Sequence, residues 1–224
     1  MNRSHIRPIV VSLTAAAALT LTACGGGDGD SGNDKIAGAE DSAKKESASP
    51  AQKADKAADI DRPEMTFPSD VKLVFDKANL GDQDQIAALN DARNYARAIE
   101  HGIVEQDADD AAYKFYSEYG SPAYTYAKDQ IKKHIDAGYT VTGERRYTKP
   151  KVQTVDKKKT IAVTFCTNDN KLFGKEVKGG KVLRTEPSLK DYSYWQISMS
   201  AAKNTKGLWR ADLVKVESEA QQCQ

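Results

Sequence analysis

Few side chains in this 224-residue sequence have the chemistry of a nucleophile or an acid–base catalyst. The chain has three cysteines and three histidines. A nucleophilic Cys166 would need a reduced thiol, with His101 or His134 as its base. Cys166 and Cys223 form an even pair after the N-terminal region, and such a pair in an exported domain favours a disulfide. We therefore predict a Cys166–Cys223 disulfide and no catalytic residue.

The third cysteine, Cys24, follows an apolar N-terminal segment. Residues 1–23 carry two arginines and no acid, continue as IVVSLTAAAALTLTA, and give way to glycine and aspartate. A cleaved secretory signal has this layout, whereas a spanning helix needs about 20 apolar residues. The stretch LTAC, residues 21–24, resembles the lipobox of bacterial lipoproteins, in which the cysteine thiol takes a diacylglycerol. The alternative is ordinary secretion with Cys24 as a free thiol.

The lipobox resemblance implies a location for the protein. Cys24 would become the first residue and carry two or three acyl chains such as palmitate, enough for stable anchoring where one chain is marginal. We therefore expect an extracytoplasmic protein held on the outer leaflet of the cell membrane by Cys24.

Residues 24–62 are predicted to be a disordered tether. They are rich in Gly, Ala, Ser, Asp and Lys and contain no aromatic residue, so they cannot bury enough apolar surface to offset the entropy of ordering. A Gly-rich coil of this length spans on the order of 35 Å. Asp28 and Asp30 superficially match a calcium loop, but Gly32 and Ala39 occupy two of its ligand positions, so no metal site is predicted.

The charge balance argues against a nucleic-acid partner. The chain has 33 Lys and Arg residues against 32 Asp and Glu residues, and a nucleic-acid footprint needs a basic excess or patch. The lysine run at residues 157–159 lies between two predicted strands, and we interpret it as a solvated hairpin turn.

Residues 63–224 are long enough for one domain with its own core, and their first half has helical periodicity. A helix capped by Asp82 or Asp84 is predicted from apolar residues three and four apart. Asp107 is predicted to cap a second helix. Ser121, Pro122 and Gly138 predict the start and end of a third helix. The stripe of the first helix is Ile86, Leu89, Ala92, Ala96, Ile99 and Ile103.

The second half of the domain alternates with period two, as strands do. A further short strand is predicted at residues 71–75, ahead of the helices. Helices followed by antiparallel strands predict an α+β fold, with the N-terminal helices packed on one face of a curved antiparallel sheet that leaves an internal cone. The residues predicted to share the strand faces are Ile161, Val163 and Phe165, and Trp195, Ile197 and Met199.

Several stretches of the domain together resemble one group of proteins. These are VKLVF, NDARNYARAIEHGIVEQD, AGYTVTGERRY, VTFC, GLWRADLV and the near-terminal QQCQ, and they are similar to small actinobacterial lipoproteins of the Streptomyces type. The resemblance implies an NTF2-like (cystatin-like) domain, and that group is mostly of unknown function. Enzymes of this fold, such as ketosteroid isomerase and scytalone dehydratase, place acid and base groups around a deep apolar pocket, but none of their motifs can be matched here.

The aromatic residues are the best candidates for a pocket inside such a cone. Tyrosine offers a ligand an apolar body and a polar tip, although ordinary core packing explains the same pattern. The candidate pocket residues are Tyr95, Tyr113, Tyr116, Tyr126 and Trp195.

Three functions remain compatible with the sequence. We expect a non-catalytic binding or scaffold module that recognises an envelope protein, a cell-wall component or a small ligand without a cofactor. The alternatives are a small metal-independent pocket enzyme (isomerase, dehydratase or hydrolase) and a structural envelope protein that forms a homodimer through its sheet. The absence of a catalytic motif favours the first.

Overall fold

The structure, a computed structural model, describes residues 60–156 and 159–224. The predicted signal segment, the lipidation residue Cys24, most of the predicted tether, and Lys157 and Lys158 of the lysine run lie outside the described residues. In the part of the chain that is described, no helix has both the length and the apolar character needed to cross a membrane.

Six strands form one mixed sheet, which confirms the α+β class. The strand order is β1-β2-β3-β5-β6, and β4 pairs with β3. The pairs among β2, β3, β5 and β6 are antiparallel, but β1 runs parallel to β2, so the prediction of an entirely antiparallel sheet is wrong. A parallel pair needs a long crossover, and the three helices between β1 and β2 supply it. The strands are β1 (Val71–Phe75), β2 (Tyr139–Asp156), β3 (Thr160–Glu176), β4 (Val182–Leu183), β5 (Tyr192–Ala201) and β6 (Trp209–Ser218).

The first and third helices begin where their predicted capping residues stand. Helix α1 spans Gln83–Glu105, and its N-cap Asp82 accepts a hydrogen bond from the backbone N–H of Gln85 at 2.9 Å. Helix α3 spans Pro122–Ala137 and has the predicted N-cap, Ser121. It ends at Gly138, whose φ of 75° is the left-handed conformation that favours glycine. The capping residues therefore correctly predicted the start of α1 and both ends of α3.

The second helix begins three residues later than predicted. Helix α2 spans Ala111–Tyr116, and its N-cap is Asp110, whose carboxylate accepts from the N–H of Ala112 at 2.7 Å. The predicted cap, Asp107, instead accepts from the N–H of Asp109 at 2.8 Å. Asp107 thus closes a local turn before the helix, a role that aspartate commonly takes.

The helices and the sheet share one buried core. The apolar stripe of α1 is buried from Leu89 to Ile103, and the predicted inward residues of β3 and β5 are buried against the helices. Helices α1 and α3 approach closely at Gly102, where an added Cβ would lie 2.5 Å from Cδ1 of Ile131. The core therefore fixes the two helices that line the cavity described below.

The C-terminal tail is tied to the sheet. Cys166 of β3 and Cys223 form a disulfide with a Cα–Cα distance of 5.4 Å, which is compatible with the predicted pair. Both cysteines are buried in a small cluster with Ala220, against which Tyr192 and Tyr194 pack. Nζ of Lys149 also donates to two backbone carbonyls of the last three residues.

Candidate functional site

Three of the five predicted pocket residues belong to the core. Tyr95, Tyr113 and Tyr116 are at most 1% exposed. The hydroxyl of Tyr95 donates to the carbonyl of Ala123 at 2.7 Å, and that of Tyr113 donates to the carbonyl of Ala108 at 3.1 Å. None of the three lines the cavity beside Glu100 or the depression at the end of α3. The three rings and the hydroxyls of Tyr95 and Tyr113 therefore serve packing within the core.

The other two predicted pocket residues, Tyr126 of α3 and Trp195 of β5, line one cavity together. Their rings meet edge to face with centroids 5.8 Å apart. The cavity has a volume of about 180 Å³ and lies between α1, α3 and the sheet. Its apolar wall comprises Ile99, Ile103, Val141 and Val216, and its polar wall includes Glu100, Gln130, His134, Arg145, Thr167, Asp169, Ser193 and Ser218.

A three-residue ion-pair cluster forms the charged part of this wall. Arg145 of β2 donates to both carboxylate oxygens of Asp169 on β3, from Nε at 2.6 Å and from Nη2 at 2.7 Å. Its Nη1 donates to Oε1 of Glu100 on α1. Asp169 therefore uses both oxygens in a bidentate pair, which is the strong geometry for arginine and a carboxylate.

Glu100 is the member of the cluster with unused hydrogen-bonding capacity. Its side chain is 3% exposed, against 18% for Arg145 and 22% for Asp169. Oε2 of Glu100 is buried and has no hydrogen-bond partner among the described residues. An unsatisfied buried acceptor lowers the stability of the fold by about 1 to 3 kcal/mol, and by more when it is charged. Such atoms are rare in folded proteins, so Oε2 of Glu100 is an unusual feature of this domain.

Burial and ion pairing together decide the protonation of the groups around the cavity. Burial raises the pKa of Glu100 above its ordinary value, against the opposing effect of the Arg145 cation. Burial also raises the pKa of Tyr126 to about 12, so its hydroxyl is neutral. Burial opposes the charge of Arg145, but Glu100 and Asp169 outweigh it and hold the pKa of Arg145 well above its ordinary value. Arg145 thus stays cationic, while Glu100 takes up a proton more readily than an exposed glutamate does.

The two histidines of the domain have different places. His134 lines the cavity, and its Nδ1–H donates to the carbonyl of Gln130 at 2.9 Å, one turn earlier in α3. Nδ1 of His101 lies 2.7 Å from Oδ2 of Asp110, and the imidazole ring meets the ring of Phe67 edge to face. His101 therefore connects α1 to the start of α2 and does not belong to the wall of the cavity.

Sequence reasoning missed the charged cluster, although one signal for it exists. Glu100 stands four residues after Ala96 and three before Ile103, so it occupies a position on the apolar stripe of α1. A charged residue on a buried stripe is unusual and indicates a partner. The pairing of Arg145 with Asp169 depends on the register shift between β2 and β3 next to Arg145, which no local pattern predicts.

A second depression of about 490 Å³ lies at the end of α3 beside β3. It is larger, but its charged residues, Asp136, Glu176 and Lys178, are exposed or half-buried. The described ranges contain no group of three or more His, Cys, Asp or Glu side chains placed to bind a metal ion. The cavity beside Glu100 is therefore the stronger candidate site.

Comparisons with known proteins add no family to this description. No protein-family model matches the chain, and no curated protein matches it.

Proposed function

We propose that this protein is a membrane-anchored extracytoplasmic lipoprotein whose folded domain is a non-catalytic binding module for a small ligand. The observation that carries the binding role is the cavity beside the buried, unpartnered Oε2 of Glu100. Small-molecule sites are concave and carry polar groups that fix the orientation of the ligand. The lipobox-like LTAC segment supports the anchoring.

We also propose that the domain is NTF2-like, as the family resemblance implies. A cavity enclosed by helices α1 and α3 and the sheet is the feature expected of an NTF2-like cone. The register shifts in β2 are the kind of irregularity that bends a strand. These features support an NTF2-like domain of the type found in the actinobacterial lipoproteins that the sequence resembles.

Binding fits the cavity better than catalysis because the charged groups Arg145 and Asp169 of its wall are already paired with one another. Both oxygens of Asp169, Oε1 of Glu100 and Nδ1 of His134 bind other atoms of the protein. A buried network of this kind holds Arg145 rigidly. Rigid walls whose charges are paired provide recognition without a reacting pair.

One observation favours the alternative of a small metal-independent pocket enzyme. Glu100 combines burial, a raised pKa and a place on the cavity wall, which is how general acids and bases are often arranged. Tyr126, on the same wall, is a neutral hydroxyl donor. Conversion of a bound compound by the wild-type chain, absent in Glu100→Gln, would favour this alternative.

Native mass spectrometry tests the binding role. The full chain is released from membranes in detergent, without reduction, and compared with Val216→Phe, which places a larger side chain on the cavity wall. The matched control is Leu213→Phe on the same strand, where Leu213 is 52% exposed. We expect a small bound mass on the wild type and on Leu213→Phe but not on Val216→Phe. A ligand-free chain, or the same bound mass on all three, would contradict the proposal, and a ligand-free dimer would favour the structural alternative.

A separate experiment tests the anchoring. The full chain, produced in a bacterium with lipoprotein processing, should partition into detergent and gain the mass of acyl chains at Cys24. Cys24→Ala should leave a larger, unacylated precursor, and the signal-peptidase inhibitor globomycin should leave a larger, uncleaved one, whereas Ser31→Ala should behave as the wild type. Unchanged size and partition in Cys24→Ala would refute lipidation at this residue.

A further inference from the structure

We infer that the cavity beside Glu100 binds a small uncharged polyol, a compound with several hydroxyl groups on a short carbon skeleton or ring. This inference rests on the proposed function, because it names the ligand class of the same cavity. The observation that carries it is the arrangement of uncharged hydrogen-bonding side chains on the sheet and on α3, the two sides between which the cavity lies.

A row of three hydroxyl side chains forms the sheet side of the cavity. Thr167 of β3 is paired with Ser193 of β5, and Ser193 is paired with Ser218 of β6. Residues paired in this way project from the same face of a sheet with Cβ atoms about 5 Å apart, and all three line the cavity. The sheet therefore presents hydroxyls at the spacing of adjacent strands, and each of them can both donate and accept a hydrogen bond.

A second set of hydrogen-bonding side chains lines the cavity from helix α3. Tyr126, Gln130 and His134 are four residues apart and so share one face of the helix. Tyr126 keeps its hydroxyl proton, because burial raises its pKa to about 12. Nδ1–H of His134 donates to the carbonyl of Gln130 at 2.9 Å, so in the neutral imidazole Nε2 is an acceptor. Helix α3 thus supplies a hydroxyl, an amide and an imidazole acceptor, none of which brings a formal charge.

The charged residues of the wall bind one another and leave no free charge for a ligand to match. Asp169 accepts hydrogen bonds from Arg145 through both carboxylate oxygens. Oε1 of Glu100 accepts a further one from Arg145, while Oε2 is buried out of a ligand's reach. Burial raises the pKa of Glu100 and so favours its uncharged form. A charged ligand would lose its hydration without gaining a counter-ion, so the cavity favours an uncharged one.

The volume and the apolar part of the wall set the size of the ligand. The cavity of about 180 Å³ has the liquid volume of about six water molecules and suits a compound of about six to ten non-hydrogen atoms. Trp195, Ile99 and Ile103 offer contacts to the C–H groups of such a compound. A polyol matches both parts of the wall, because its hydroxyls surround a carbon skeleton whose C–H groups are apolar.

Three probes of equal size test the inference on the full chain in detergent, by ligand-observed NMR titration at pH 7.5 with detergent alone as the blank. The first is trans-cyclohexane-1,2-diol. In the second, trans-2-methylcyclohexanol, a methyl group replaces one hydroxyl, and in the third, trans-2-aminocyclohexanol, an ammonium group replaces it. We expect the diol to bind about tenfold more tightly than either of the others, because the methyl analogue loses hydrogen bonds and the ammonium analogue brings an unmatched charge.

Matched variants connect this preference to the two sides of the cavity. Ser193→Ala on β5 and Gln130→Met on α3 should each reduce the preference for the diol over its methyl analogue by about threefold, the effect of one lost hydrogen bond. Ser198→Ala on β5 and Lys133→Met on α3 should leave the preference unchanged, since neither residue lines the cavity.

The outcomes separate this inference from the proposed function. Equal affinity for the diol and its methyl analogue, or tighter binding of the ammonium analogue, would overturn the polyol inference while leaving the cavity as a site. An unchanged preference in both Ser193→Ala and Gln130→Met would do the same. A ligand-free native chain that binds none of the three probes would overturn both.

A measurement on the unsubstituted chain keeps the test independent of variant folding. The compound released from the full chain, purified from its membranes, is identified by tandem mass spectrometry. An uncharged polyol, free or as the terminal unit of a glycan, would support the inference, and its mass tells these two sources apart. A native ligand that carries an ionised group, or that has no hydroxyl group, would overturn the inference alone.

Discussion

Removal of the Cys166–Cys223 disulfide should lower the free energy of unfolding by about 4 kcal/mol. The two cysteines are 57 residues apart, and the entropy of closing a loop of this length in the unfolded chain gives that figure. The native tail keeps other attachments, since Lys149 donates to the carbonyls of Gln222 and Gln224 at 2.8 and 3.0 Å. The loss should therefore come mainly from the unfolded state.

The assay is urea unfolding followed by tryptophan fluorescence, on the oxidised wild type and on the double variant Cys166→Ala, Cys223→Ala. A loss of 4 kcal/mol corresponds to a fall in melting temperature of roughly 8 to 16 °C for a domain of this size. Either single variant should lose about as much as the double variant, because either one removes the cross-link. Reduced wild type provides a control without substitution.

Two results would refute this reasoning. A loss below about 1 kcal/mol in the double variant would show that the cross-link does not restrict the unfolded chain as the loop length requires. Free-thiol labelling of both cysteines in unreduced, folded protein would show that the bond is absent.

Three further predictions, made with four substitutions, test the packing and charge of the domain. Gly143→Ala should lower the free energy of unfolding by more than about 2 kcal/mol, because Gly143 has a φ of 105° and its added Cβ would lie 1.9 Å from a backbone oxygen of β3. Gly174→Ala, where an added Cβ would lie in open space, should change the free energy of unfolding by less than about 0.5 kcal/mol. Equal effects of the two variants in urea unfolding would contradict this packing. Arg62→Met should lower the free energy of unfolding by about 3 kcal/mol at neutral pH, because it leaves the buried carboxylate of Asp91 without its guanidinium. This loss should become smaller as acid protonates Asp91. A loss of stability that does not vary with pH in thermal unfolding would contradict the prediction. Burial raises the folded-state pKa of Glu100, so the free energy of unfolding of the wild type should fall as the pH rises through that pKa. Glu100→Gln should remove this part of the decline. Parallel stability curves of the wild type and Glu100→Gln from pH 4.5 to 8 would show the argument to be wrong.

Features set by local sequence were predictable from the residues. The cap at Asp82, the Ser121–Pro122 start and the Gly138 end of α3 depend on hydrogen bonds and φ angles within a few residues. The strand faces likewise follow from the alternation of side chains, and those of β3 and β5 are buried as predicted. The α+β class follows from these elements.

Features set by long-range pairing were not predictable from the residues. Nothing in the residues of β1 shows that it pairs parallel to β2, since the same alternation suits either direction. Arg62 was assigned to the tether, because no local pattern shows that its guanidinium binds the buried Asp91 carboxylate of α1.

The candidate site shows the same division. Tyr126 and Trp195 were among the predicted pocket residues and line the cavity, whereas Tyr95, Tyr113 and Tyr116 have the same residue chemistry but lie in the core. Residue type alone cannot separate the two groups, because the side of the helix or strand that faces the cavity is decided by packing.

The central claim is that the cavity beside Glu100 is a ligand site, and native mass spectrometry of the full chain against Val216→Phe tests it most directly. The account predicts a small bound molecule on the wild type that is absent from Val216→Phe and retained by Leu213→Phe. A wild-type chain that carries no bound molecule, or a bound molecule unaffected by Val216→Phe, would contradict it.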